Sequence, residues 1–399
     1  MERKEQIKAY LKRLGAGEAL ESVRADFVKE FEGVDSGEIL LAEQALLREG
    51  TPWQEVQKLC DVHAALFHEK IQEQEKLEIS EGHPLDTFMR ENRELERLLA
   101  EGRQALNRGQ VEQSFLDRLR EISIHYAKKG DLLYPHLKTK YGISGPSAVM
   151  WTVDDEIRDE LAALAKKDDR DEKWMERFEK VLVRIEEMIY KEEKILFPNC
   201  ERNFSRQEWH GIYWDSKDYD ECFGVKPGIW KEAEEDRPGA SKEKGSKPEE
   251  SKLGENREEE GRGEKSGPGA TPPIVLPGGT MTLKQLEAML NTIPMEITLV
   301  DENNRNRYFN DGPKVFKRPK MAIGREVFSC HPPKIEQQVR RIIEEFRRGT
   351  LDKVPIWMDK GGRKMLVTYY AVRDTEQNYL GTLELVQDME FAREYFARE

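Results

Sequence analysis

The residues with the clearest chemical potential lie in a repeat between two helical stretches. His125-Tyr126-Ala127-Lys128-Lys129-Gly130-Asp131-Leu132-Leu133-Tyr134-Pro135 aligns without gaps with Met188-Ile189-Tyr190-Lys191-Glu192-Glu193-Lys194-Ile195-Leu196-Phe197-Pro198. Both stretches end in Leu-aromatic-Pro, and each carries a candidate ligand at similar depth. Histidine and carboxylate donors one turn apart on facing helices can converge on a metal pair. Imidazole combined with carboxylate suits iron, manganese or zinc. The two half-sites are incomplete in complementary ways. The first keeps His125 but has Lys129 and Gly130 where an acid belongs. The second keeps Glu192 and Glu193 but has Met188 where a histidine belongs. His125 and Glu193 are the leading metal ligands, with His83, Asp155 and Glu156 completing the set. A metal-free, internally satisfied His125–Glu193 pair is the competing reading. His83 also suits a helix cap before Pro84, and the run Asp154-Asp155-Glu156 also suits a solvated first turn.

These side chains need long helices to carry them. Residues 84–198 read as four amphipathic helices of about 20 residues with short connections, an up-down bundle. Upstream, VRADFVKEFEGV, EILLAEQALL and WQEVQKLCDVHAALF repeat apolar residues at helical spacing and form a separate helical module. His63 and His68, about 140° apart around one helix, read as structural there. Residues 231–270 contain no aromatic side chain and a single large aliphatic, Leu253. They cannot bury enough surface to offset chain entropy, so this stretch reads as a disordered, extended linker. Beyond it the period changes. EITLVDE, NRYFN, VPIWMD, KMLVTYYAVRD and YLGTLELVQDM read as strands, with the helix KIEQQVRRIIEEFRRG between the second and third. The fold class is therefore multidomain, mainly α and then α+β with an antiparallel sheet. The expected divisions are 1–78, 79–230, a linker over 231–278, and 279–399.

Composition bounds the partners. Of 399 residues, 37% are hydrophobic and 36% charged, which excludes one compact enzyme with a single large core. The net charge of −13 argues against nucleic acid and anionic membranes. The linker holds 9 basic and 12 acidic residues, so the folded modules carry most of the negative charge. Cys60, Cys200, Cys222 and Cys330 lack CxxC spacing, so neither a disulfide framework nor a zinc ribbon is expected. No apolar leader or run long enough to span a membrane is visible, and a cytoplasmic protein is the expectation. No nucleophile constellation, GxxxxGK[ST] or GxGxxG occurs, so no catalytic activity is expected.

Three resemblances follow from these stretches. The GHP of residues 82–84, His125 with its LLYP, and KEEKILFP at 191–198 resemble the hemerythrin-like HHE cation-binding family over about residues 80–215. This resemblance implies a four-helix bundle with a non-haem di-iron centre that binds oxygen or a related small ligand. Members typically carry a third-helix histidine where Asp154-Asp155-Glu156 stands, so the implied shell is carboxylate-rich or incomplete. Residues 10–75 or so resemble the domain of unknown function 438, which implies no chemistry. Residues 281–395 resemble a PAS sensor domain, which implies a ligand or cofactor held between sheet and helices, or a dimerisation surface. His331, in Cys330-His331-Pro332-Pro333, is the one haem candidate; a rigid helix start is the competing and favoured reading. Together the resemblances imply a sensory or regulatory protein responding to oxygen, nitric oxide or redox state, with an unidentified protein partner and a possible PAS-mediated homodimer. A metal-free interaction scaffold and a ferritin-like iron-handling or peroxide-active protein are the alternatives.

Overall fold

The computed structural model describes residues 79–143, 145–236, 273–312 and 314–396, with 5–6, 9–10, 12–13, 16–18, 20–30, 45–46 and 49–51. Most of the expected module at 1–78, including Cys60, His63 and His68, lies outside the described residues, as do 237–272 of the expected linker. Helix α1 (Leu20–Glu30) buries Val23 and Phe27, with the Tyr10 ring 5.0 Å from Phe27.

The bundle begins at α2 (Pro84–Asn107). Pro84 sits where a missing N–H costs nothing, and the His83 ring accepts from the Leu85 N–H at 3.2 Å. Leu85, Phe88, Leu95, Leu98 and Leu99 form its buried stripe, with Glu91 and Asn92 set among them. The second helix is segmented: α3 (Gln113–Leu119), α4 (Ile122–Lys128), a π-helical turn at Lys129–Leu133, and α5 (Tyr134–Thr139). The third is α6 (Gly145–Ala165). The fourth repeats the second, with α7 (Glu172–Lys191), a π-helical turn at Glu192–Leu196 and α8 (Phe197–Asn203).

The Leu-aromatic-Pro repeat explains both π turns. A proline inside a helix lacks an N–H, and its ring collides with the carbonyl four residues back. An extra residue in the turn relieves the collision. The Tyr134 N–H accordingly donates to the Lys129 carbonyl, and the Phe197 N–H to the Glu192 carbonyl, each five residues back.

Helix α9 (Arg206–Ser216) starts with a Ser205/Glu208 capping box and packs Trp209, Ile212 and Tyr213 into the bundle. The expected linker begins too early. Residues 231–235 form a short helix, α10 (Lys231–Glu235), because Trp230 and Ala233 are buried and Tyr213 Oη donates to Glu234 at 2.6 Å. Its other end also carries structure, a hairpin of β1 (Ile274–Leu276) and β2 (Gly279–Met281).

After α11 (Leu283–Thr292) come β3 (Glu296–Asp301), β4 (Asn306–Phe309), α12 (Pro333–Arg348), β5 (Lys353–Lys360), β6 (Arg363–Arg373), β7 (Tyr379–Asp388) and α13 (Glu390–Phe396). The five-stranded antiparallel sheet runs β4-β3-β7-β6-β5, and α12 packs Val339, Ile343 and Phe346 inward. The five expected strands and the helix between the second and third are all present. The hairpin, α11 and α13 are additions; α11 buries no side chain, so no buried stripe announces it.

The bundle and the α+β domain touch. The Asp215 carboxylate at the end of α9 accepts the backbone N–H groups of Lys320 and Met321, each at 3.1 Å. Lys138 of α5 reaches Glu336 of α12 at 2.6 Å. Within the bundle, Gly82 crosses the Ile229 backbone so closely that an added Cβ would lie 2.4 Å from the Ile229 carbonyl carbon, at a φ of +79°. Gly82→Ala is therefore expected to cost about 2–4 kcal/mol, read as a lower thermal midpoint.

Candidate functional site

The bundle interior holds six charged side chains in contact. The π turns and the preceding α-helical ends place His125, Lys128 and Lys129 on the second helix and Glu192 on the fourth. Glu91 arrives from α2 and Asp154 from α6. His125 lies between two carboxylates, Nδ1 at 2.8 Å from Glu91 Oε2 and Nε2 at 3.0 Å from Glu192 Oε2. Lys128 pairs with Glu91. Lys129 Nζ pairs with Glu192 and lies 3.0 Å from Asp154 Oδ1, whose other oxygen accepts from Tyr134 Oη at 2.9 Å. The Lys129 ammonium also lies 4.2 Å from the centre of the Tyr126 ring. His125 and Lys129 are fully buried.

Burial and partner charge compete at every member. Burial alone would lower the His125 pKa, but Glu192 and Glu91 outweigh it and hold the value above the ordinary 6.5. With a carboxylate oxygen at each ring nitrogen, the surroundings favour the protonated imidazolium, which can donate from both. Burial pushes the Glu192 carboxyl up, yet Lys129 and His125 outweigh it and hold it down to about 2. Glu91 is likewise held below its ordinary value by His125 and Lys128, against burial. Burial dominates at Asp154 and pushes it up to about 6, with Lys129 opposing. Three cations face three carboxylates, so the cluster neutralises itself.

The sequence-derived ligand set does not assemble. Of His83, His125, Asp155, Glu156 and Glu193, only His125 belongs to the cluster. The His83 ring packs between Trp209 and Trp230, at centroid distances of 4.5 and 4.6 Å, and burial pushes its pKa down to about 4. Asp155 pairs with Arg158 and Glu156 with Arg184, so the acid run turns only Asp154 inward. Glu193 lies one residue past the inward position, beside a surface recess shared with Glu186 and Lys194. Spacing could have separated the two: His125 and Lys129 are four apart, and so are Met188 and Glu192. Glu91 was legible as an acid inside the apolar stripe of α2. His331 Nδ1 lies 2.8 Å from the Val327 carbonyl oxygen beside a cavity of about 90 Å³. A porphyrin does not fit that space.

Three family models match the chain in order: a family of unknown function, DUF438, over 7–73; the Hemerythrin HHE cation binding domain over 83–200; and a PAS domain over 286–390. The chain carries an HHE domain followed by a PAS domain. No curated protein matches it significantly. Among solved structures, a C-terminal domain from Streptococcus mutans is 37% identical over 31% of this chain and 98% of its own (TM-score 0.30). The PAS domain of a Colwellia psychrerythraea protein is 18% identical over 27% of this chain and 95% of its own (TM-score 0.22). A sensory box sensor histidine kinase from Vibrio cholerae is 10% identical over 26% and 90% (TM-score 0.21).

The HHE family binds cations, and the donors of this bundle do not fit one. Both His125 nitrogens already face carboxylate oxygens, the Lys129 ammonium occupies the space between two carboxylates, and each carboxylate already serves a cation. Among the described residues, no group of three or more His, Cys, Asp or Glu side chains is arranged to hold a metal ion.

Lys129→Met is expected to cost about 3–5 kcal/mol in a urea titration, because it strands Glu192 and Asp154 in the core. Glu192, held near 2 against an ordinary 4.5, contributes stability that is complete above pH 4.5 and lost as pH falls towards 2. Glu192→Gln should remove that acid limb from the pH dependence of the urea midpoint while lowering the midpoint at neutral pH.

Proposed function

We propose that this chain is a sensory protein in which the PAS domain receives a small molecule and the HHE bundle, held by ion pairs in place of a metal, passes the event on. It acts as a binding and signalling protein, without catalysis. One observation carries the reading: the bundle forms part of the wall of the PAS cavity. That cavity, about 90 Å³, lies between the sheet residues Thr298, Val300 and Glu384 and the α12 residues Val339 and Ile343. Asp131 and Pro135 of the bundle close it. Asp131 belongs to the π turn that starts at Lys129, accepts from Tyr219 Oη at 2.8 Å, and is pushed up to about 6 by burial.

A molecule in the cavity therefore touches the turn whose first residue organises the charged cluster. The volume is several times what a water needs and below that of a drug-sized site, so it suits an occupant of a few heavy atoms. Sensing of oxygen, nitric oxide or redox state through bundle iron would need donors that the cluster commits to one another, and ferritin-like iron chemistry would need the same ones. The geometry favours the metal-free reading.

Filling the cavity from within tests this. Ala322→Phe, at a buried lining position, should alter amide exchange across residues 129–134 by about tenfold while leaving the far end of α6 unchanged. Unaltered exchange in the π turn would overturn the coupling.

A further inference from the structure

One stretch runs against the charge of the whole chain. Residues 305–320, RNRYFNDGPKVFKRPK, contain six basic residues and one acid in a protein of net charge −13. They wrap around an open cleft of about 590 Å³ where the PAS domain meets the bundle. Arg307, Lys314, Lys317, Arg318 and Lys320 line it, against Asp218 and Asp311. The volume lies within the range of small-molecule sites.

The cations are not equally committed. Arg307 pairs with Asp301 at 2.6 Å and Arg318 with Glu384 at 2.9 Å. Lys314 reaches only the neutral side-chain and backbone oxygens of Asn310, and Lys317 only the Asp218 backbone carbonyl at 2.6 Å. Among the described residues, neither these two lysines nor Lys320 has a carboxylate within ion-pair distance. The Tyr308 hydroxyl, in the same lining, is buried without a hydrogen-bond partner. The Arg318 fork is thus occupied, whereas Arg307 is bonded through Nε alone and is half-exposed, so it joins the three ammonium groups as an available cation. Several cations without a carboxylate partner in one cleft favour a ligand of high charge density, a phosphate chain over a single carboxylate.

We propose that this cleft is a binding site for a small organic di- or triphosphate, held by Lys314, Lys317 and Lys320 with the exposed Arg307 guanidinium beside them. The site is distinct from the PAS cavity, although Phe309, Lys317 and Arg318 line both. Lys317 also holds the bundle through the Asp218 carbonyl, so a phosphate that recruits its ammonium competes with a contact of the domain junction.

Calorimetric titration of the full chain with ADP, and separately with pyrophosphate, tests the site. The expected result is saturable binding that weakens as salt rises. Lys314→Gln/Lys320→Gln should weaken it about tenfold or more, while Lys173→Gln, an exposed position on the bundle, leaves it unchanged. Thermal melts of both variants establish that they fold, and Lys320→Gln alone serves if the double variant does not. No saturable binding up to about millimolar ligand, or binding that the cleft substitutions leave intact, overturns the proposal. Equal binding of acetate overturns the phosphate assignment.

Discussion

The Lys129 ammonium, closed between Glu192 and Asp154 and fully buried, is the interaction on which the bundle depends. An unpaired charge in such a place costs several kcal/mol, so each member of the cluster requires the others. His125 joins Glu192 to Glu91, Lys128 secures Glu91 from the other side, and Tyr134 satisfies the second oxygen of Asp154. All four helices of the bundle contribute at least one member. A metal pair would tie four helices together through coordination bonds; here a continuous chain of hydrogen-bonded charges joins them.

That substitution changes what the bundle can do. A coordination centre exchanges ligands at an open position, whereas these charges are consumed by one another and leave none. The contacts that could couple the bundle to the PAS domain lie at their junction. There Asp131 and Pro135 reach the PAS cavity, Asp215 caps two backbone N–H groups of the PAS domain, and Lys317 reaches back to Asp218. Polar contacts are prominent at this junction, beside Met321 packed against the bundle core. Polar contacts between domains are more easily exchanged for ligand or solvent than an apolar core.

Much of the architecture was legible in the sequence. Helical periodicity over 84–198, the repeat ending in Leu-aromatic-Pro, and five β-rich runs around one helix gave the order and type of the main elements. The site was legible in part. The repeat isolates His125, but it does not by itself separate Glu193 from Glu192, and the structure turns Glu192 inward, at the helical spacing from Met188. Lys129 stands where the repeat lacks an acid, and a buried lysine among acids is itself a partner. Glu91 and Asp154 lie far from His125 in sequence, and only the packing of helices brings them to it. The start of the linker was misplaced because α10 is held by distant residues, Tyr213 among them, with little local signal of its own.

The two π turns carry a further consequence. Each holds one residue more than the α-helical turns around it. Sliding such a bulge by one position would swing the intervening side chain through about 100° without moving either end of the helix. Pro135 and Pro198 fix the C-terminal limit of that travel, because each forbids an ordinary helical turn directly before it. The bundle thus contains two matched detents, and the residues at their N-terminal edges, Lys129 and Glu192, are the pair at its centre.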